Sequence, residues 1–360
     1  MNVARYYAGV MTGTSLDAAD AVLCEAGESF KPVAHSAIPV PQKTAAAFRR
    51  LDENGALAAA MDAANEITRI CADAFLSLPR RGEIVALGCH GQTVLHRPER
   101  GWTLQLLNGA LLAELTGADV VCDFRSRDIA AGGQGAPLAP LFHRFFFTDR
   151  APCAIVNLGG VANITVLDAD GGARGWDICP ANMLLDGWHR RHRGGAFDDG
   201  GEWAKGGAVA ETLLRTLRAH PFLRLPPPKS CGREQFDLRH FESELSHHRP
   251  RDAQATLLEW SAETVAAAID NCGATTAFLC GGGARNNFLS ARIAALSSAK
   301  VRPSDDAGIA AEQMEAAAFA WLAKQFMDGA AADVAAITGA RGARILGAHH
   351  RAGDARNSRN

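Results

Sequence analysis

An apolar strand that runs into a glycine-rich turn occurs three times in this chain, and that recurrence narrows the folds open to it. The first block is "YYAGVMTGTSLDAADAVL", residues 6–23, where Gly9, Thr12, Gly13, Thr14, Ser15 and Asp17 lie between two apolar runs. The second is "CAIVNLGGVANITVL", residues 153–167, and the third "AFLCGGGARNNFL", residues 277–289. In the first two a further apolar run follows the glycines within a few residues, the pattern of a β-hairpin. The third is followed by "FLSARIAALSSA", whose apolar residues have helical spacing.

Further strands are expected at 83–91 and 117–125, and helices at 55–78, 106–116, 181–192, 207–219, 253–271 and 308–327. Strands alternate with helices, so the class is α/β. The prolines of "RLPPPKS", residues 224–230, make that stretch a loop, and the polar tail "HHRAGDARNSRN" should fray. The length of 360 residues suggests two domains. Two glycine hairpins, one in each half, suggest a duplicated lobe. The boundary is expected near residue 130, giving lobes 1–130 and 131–360, with the C-terminal segment free to cross back.

Composition excludes several classes. The formal charge of −2 argues against a general nucleic-acid or anionic-membrane binder. Nine cysteines, an odd number without a C-x-x-C pair, fit a reducing compartment and free thiols. "MNVARYYAGV" has no long apolar h-region, and no apolar run approaches the roughly 18 residues of a spanning helix. A soluble cytoplasmic protein is expected.

Glycine lacks Cβ, so a polyanion can approach the backbone, and successive N–H groups form an anion-binding concavity. Thr14 and Ser15 can add hydroxyl donors. Asp17 and Asp20 would repel a bare phosphate but suit one whose charge Mg²⁺ neutralises, directly or through water. The opening hairpin is therefore expected to hold a metal-bound triphosphate; the bland alternative is a tight turn. There is no G-x-x-x-x-G-K-[ST], and "GGGARNN" does not fit G-x-G-x-x-G.

Three blocks of this kind resemble the actin, sugar kinase and Hsp70 superfamily. The blocks "MTGTSLDAADA", "HGQTVLHRP", "DFRSRDIAAGGQGAPLAP", "NLGGVANIT", "GWDICPANMLLD", "CGGGARNN" and "EAAAFAWLA" together resemble the anhydro-N-acetylmuramic acid kinases, in that family's order, over residues 11–323. The resemblance implies a two-lobed actin-like ATPase fold of duplicated ribonuclease H-like domains, with an active-site cleft between the lobes. It implies ATP and Mg²⁺ as cofactors and a homodimer. The implied reaction opens 1,6-anhydro-N-acetylmuramic acid with water and phosphorylates it to N-acetylmuramic acid 6-phosphate, a step in peptidoglycan recycling. Carried onto this chain, ATP would be held by Gly13, Thr14, Ser15, Leu16, Asp17, Ala18, Ala19 and Asp20. In the other half Gly159, Gly160, Asn163, Gly281, Gly282, Gly283 and Asn286 would join them, with Asp17 near Mg²⁺ through water. The alternatives are a kinase of another sugar or small carboxylic acid, and a chaperone-type ATPase, which calls for a peptide-binding domain.

Asp177 in "GWDICPANMLLD" is the expected base. It precedes Pro180, which suits the first turn of a helix, where the dipole favours a carboxylate; it could equally be a helix cap. The family's catalytic aspartate falls here. The family reads D-T-G-P-G-N where this chain has Asp177, Ile178, Cys179, Pro180, Ala181 and Asn182. Ala18 replaces a usual glycine and Cys231 a usual threonine. These changes spare the carboxylates. Arg125 could grip a lactyl carboxylate with a bidentate fork, or pair with Asp123 or Asp128. Glu315 and Gln92 are expected sugar contacts, against a solvated helix face and a core hydrogen bond respectively. His90 and His96 read as polar or core contacts, since no third metal ligand has sensible spacing.

Overall fold

A computed structural model describes residues 5–13, 16–51, 55–227, 229–231 and 233–353. The strands are β1 (Arg5–Thr12), β2 (Ala18–Ala26), β3 (Phe30–Pro39), β4 (Ile84–Cys89), β5 (Gln92–Arg97), β6 (Trp102–Leu106) and β7 (Val120–Cys122). They continue with β8 (Cys153–Leu158), β9 (Val161–Leu167), β10 (Ala173–Pro180), β11 (Thr276–Cys280), β12 (Lys300–Pro303) and β13 (Ala348–His350). The chain divides into two compact units, Met1–Phe142 with Gln313–Asn360, and His143–Glu312.

The two units share one topology. The first has a sheet ordered β13-β7-β4-β1-β2-β3, the second β10-β9-β8-β11-β12. With the added β13 and the β5–β6 ribbon set aside, each sheet reads third-second-first-fourth-fifth in its own strand count. In each, the first three strands form an antiparallel meander, and the fourth and fifth add parallel on the other side. Hairpins need only a tight turn, whereas the parallel additions need helical crossovers. That is why two of the three glycine blocks fall between first and second strands, at 13 and at 159–160.

In the first unit a helix at Met314–Met327 lies on β1 and β4. Its run of small residues, Ala316, Ala317, Ala318, Ala320 and Ala323, is buried. It sits so close that a Cβ at Gly88 would meet Phe319 O at 2.1 Å. Gly9 faces the same helix from β1. Gly9 therefore belongs to helix–sheet packing and not to the polar middle of the opening hairpin. The tail expected to fray is ordered as far as β13, which pairs with β7. Asp119 braces it, accepting from Ala352 N–H at 2.8 Å and facing His349 Nε2 at 3.3 Å. Residues 354–360 lie outside the described residues.

The second unit is built on Ala154, Val156, Ile164, Trp176, Leu257 and Trp260, among others. His143 is buried within this unit, its Nδ1 2.8 Å from Thr165 Oγ1. Burial lowers its pKa to about 3. The folded protein keeps His143 neutral while the unfolded chain binds a proton below about pH 6.5, so stability is full above that pH and drains away towards pH 3. His143→Asn, whose amide nitrogen stands where Nδ1 does, is expected to flatten this acid limb by on the order of 4 kcal/mol at its lower end. Urea midpoints at pH 7 and pH 4 check it; an equal acid loss in both proteins would refute it.

Candidate active site

In the first unit the β1–β2 hairpin closes tightly. Leu16 N–H donates to Gly13 O at 3.1 Å, and Leu16 takes a left-handed φ of 57° with its side chain buried. A large residue held there signals a turn that the surrounding fold over-determines. Asp17 is exposed, and its carbonyl accepts from Val40 N–H at 2.9 Å. Ala18 and Ala19 begin β2, and Ala19 lies opposite Thr12. Thr12 turns its hydroxyl inward to Gly91 O at 3.3 Å. Asp20, opposite Met11, accepts from His35 Nε2–H at 3.1 Å. Thr14 and Ser15 lie outside the described residues.

The loop after β7 organises Arg125. Its Nε–H donates to His90 Nε2 at 2.9 Å and its Nη1 to Gly135 O at 2.7 Å. The two carboxylates that could have held it have other partners: Asp123 accepts from Ser126 Oγ at 2.6 Å. Asp128, fully buried, accepts from Gly135 N–H at 2.6 Å and Thr338 Oγ1 at 2.7 Å. Asp128 thus braces the turn whose carbonyl holds Arg125. His90 is neutral: burial, then the Arg125 charge, pushes its pKa well down. Gln92 opens β5 at 1% exposure; its Nε2 donates to Thr93 O at 3.4 Å, while Oε1 has no partner among the described residues. A buried carbonyl left over in this way accepts from water or ligand. Glu315 stands half-buried in the first turn of the 314–327 helix.

In the second unit a polar row crosses the sheet. Asn163 on β9 lies opposite Asn157 on β8 and opposite Asp177 on β10. Cross-strand partners share a face, so the three side chains leave the same side of the sheet. Asp177 is therefore a strand residue, beside an irregularity in the β9–β10 register, and not the first turn of a helix. Pro180 is compatible with the strand because β10 is the sheet edge. The helix starts later, at Asn182. What holds the carboxylate is a strap, not a helix dipole. Asp177 N–H donates to Lys229 O at 2.9 Å, and Cys231 N–H donates to Asp177 Oδ2 at 3.0 Å. The Cys231 thiol lies 3.8 Å from the same oxygen. Lys229 anchors the strap: its Nζ donates to Phe222 O at 3.1 Å and lies 4.6 Å from the Phe222 ring centroid. Burial lowers the Lys229 pKa, opposed by nearby thiols and Asp177.

The glycines around this row are spent partly on packing. Gly160 O accepts from Ala181 and Met183 N–H groups, and Gly159 O from Asn182 N–H, which ties the turn to the 182–193 helix. Gly281 has φ 80°, and a Cβ there would meet Asn157 Oδ1 at 2.1 Å. One on Gly283 would meet Leu158 O at 2.7 Å, whereas nothing among the described residues lies within 4 Å of one on Gly282. Asn286 caps the 287–296 helix, accepting from Leu289 N–H at 3.0 Å. Sequence reasoning missed Asn157 and Lys229. Asn157 had a signal, a lone amide inside the apolar run "CAIVNL"; Lys229 had none.

The family model described as anhydro-N-acetylmuramic acid kinase matches residues 5–352. A relative of that name from Bordetella petrii is 47% identical over 361 residues, covering 96% of both chains. Another from Nitrosospira multiformis is 46% identical, covering 96% of this chain and 98% of its own. Among solved structures, the activator of the 2-hydroxyisocaproyl-CoA dehydratase from Clostridium difficile with bound ADPNP aligns at a TM-score of 0.48 and 14% identity. That alignment covers 90% of this chain and 97% of the other.

Proposed function

The chain belongs to the anhydro-N-acetylmuramic acid kinase family, and we propose that it couples ring opening to phosphoryl transfer from ATP with Asp177 as the general base. Water attacks C1 of 1,6-anhydro-N-acetylmuramic acid. The C1–O6 bond breaks with its electron pair going to O6, the water proton goes to Asp177, and O6 takes the γ-phosphoryl group as ADP leaves. The product is N-acetylmuramic acid 6-phosphate. The observation that carries the reading is Asp177 in the polar row, its Oδ2 held by Cys231 N–H. A carboxylate aimed by a backbone donor is an oriented base.

Other residues take supporting roles. In the first unit the segment 13–20, with Thr14 and Ser15 in it, receives nucleotide phosphates; in the second, Gly159, Gly160 and Gly281–Gly283 are the nucleotide-binding residues, with Asn163 and Asn286. Backbone donors aimed at the phosphates stabilise the charge that develops in transfer. Mg²⁺, when bound, neutralises phosphate charge. Exposed Asp17 fits an outer-sphere role through water, and among the described residues no group of three His, Cys, Asp or Glu could hold a metal directly. Arg125 takes the lactyl carboxylate, with Gln92 and Glu315 on the sugar. Gln92 Oε1, buried and without a partner among the described residues, suits a sugar hydroxyl or amide donor. The setting is peptidoglycan recycling by a cytoplasmic homodimer; among the described residues no helix is long and apolar enough to cross a membrane.

The test is incubation with MgATP and the anhydro sugar in ¹⁸O-labelled water. The 6-phosphate should form with label at C1. Label on phosphate would mean that water attacks phosphorus, and the coupled mechanism would fall.

A further inference from the structure

We infer that His90 is a positioning residue for substrate selection: it sets the plane of the Arg125 guanidinium and so aims its fork at the carboxylate of the sugar. This rests on the reading of Arg125 as the carboxylate-binding residue. An arginine Nε–H can only donate, so the nitrogen 2.9 Å from it, His90 Nε2, must be the unprotonated acceptor. The ring proton is then on Nδ1, which donates to Gly91 O at 2.8 Å. Both ring nitrogens are used, and the tautomer follows from the bonding. The ring cannot swivel freely either. His90 is 5% exposed, and its centroid lies 4.8 Å from that of Phe319. Phe319 packs in turn on Phe124, the neighbour of Arg125, at 5.4 Å. Glu315 precedes Phe319 by four residues on the same helix, hence on the same face.

A guanidinium is planar, and its two parallel N–H bonds to a carboxylate point where the plane points. With Nε on His90 and Nη1 on Gly135 O, that plane has two fixed points. An acceptor lost at Nε removes one of these fixed points and loosens the plane without removing the charge. The effect belongs on selection among sugars and not on the chemical step.

The experiment compares kcat/KM for 1,6-anhydro-N-acetylmuramic acid with that for 1,6-anhydro-N-acetylglucosamine, which lacks the lactyl acid. His90→Phe keeps a packed ring but no acceptor, His90→Asn keeps only a donor near Nδ1, and His90→Gln can place an acceptor near Nε2. In His90→Phe and His90→Asn the preference for the acid sugar should fall about tenfold to a hundredfold, the value of a hydrogen bond to a charged group. The loss should lie in KM for that sugar, with kcat and KM for ATP near wild type. His90→Gln should recover most of the preference. If Arg125→Gln abolishes the preference but folded His90→Phe and His90→Asn retain it, the inference is overturned and the reading of Arg125 stands. If Arg125→Gln retains the preference, the reading of Arg125 fails and the inference with it. Should His90→Phe not fold, the contrast between His90→Asn and His90→Gln decides, and equal preference in those two overturns the inference.

Discussion

Asp177→Asn is expected to lower kcat by about 10²- to 10⁴-fold, the range for loss of general-base help. The substitution isolates proton acceptance from everything else the side chain does. Asparagine keeps a carbonyl oxygen for Cys231 N–H, and the backbone bond to Lys229 O does not depend on the side chain. The strap should stay closed and the variant should melt near wild type. Affinity for ATP should hold, because the glycine turns are untouched. If Asp177 merely fastens residues 229–231 to the edge strand, asparagine does the same work and kcat stays normal. Steady-state rates, calorimetry with ATP and a melting curve separate the two; a folded variant with near-normal kcat would falsify the catalytic role.

Gly9→Ala should destabilise the first unit by about 4 kcal/mol or more, the rare end of single substitutions. The added Cβ would lie 1.8 Å from Ala316 O and 2.5 Å from Ala320 N. Both are backbone atoms of a helix and cannot rotate aside, so β1 and the helix must part, with loss of packing along both. Gly82→Ala is the control. Nothing among the described residues lies within 4 Å of a Cβ there, and the change should stay within about 0.5 kcal/mol. Soluble yield and urea unfolding read the difference. A Gly9→Ala protein as stable as Gly82→Ala would mean that the helix does not approach so closely. Because the same helix carries Glu315, a weakened Gly9 variant that still folds should also lose sugar affinity.

Much of this molecule is legible without coordinates because it depends on a few consecutive residues. Strand–glycine–strand blocks become hairpins since turn chemistry is local, and β1–β2 and β8–β9 follow from it. Apolar spacing likewise locates helices such as 57–76 and 250–271 to within a few residues. The family is legible too, because its motifs are spread over most of the chain and keep their order. Tertiary structure alone decided what those residues do to one another. Proline after Asp177 suggests a helix start, yet the edge of a sheet accepts the same proline, and only the pairing with β9 tells them apart. Gly9 sits a few residues before a glycine turn in sequence, but its lack of Cβ serves a helix three hundred residues away. Arg125 has two aspartates as near neighbours in the chain and takes a histidine and a carbonyl. Local pattern carries the backbone's own preferences. Contacts across the chain depend on where distant segments come to lie, which no short stretch of sequence encodes.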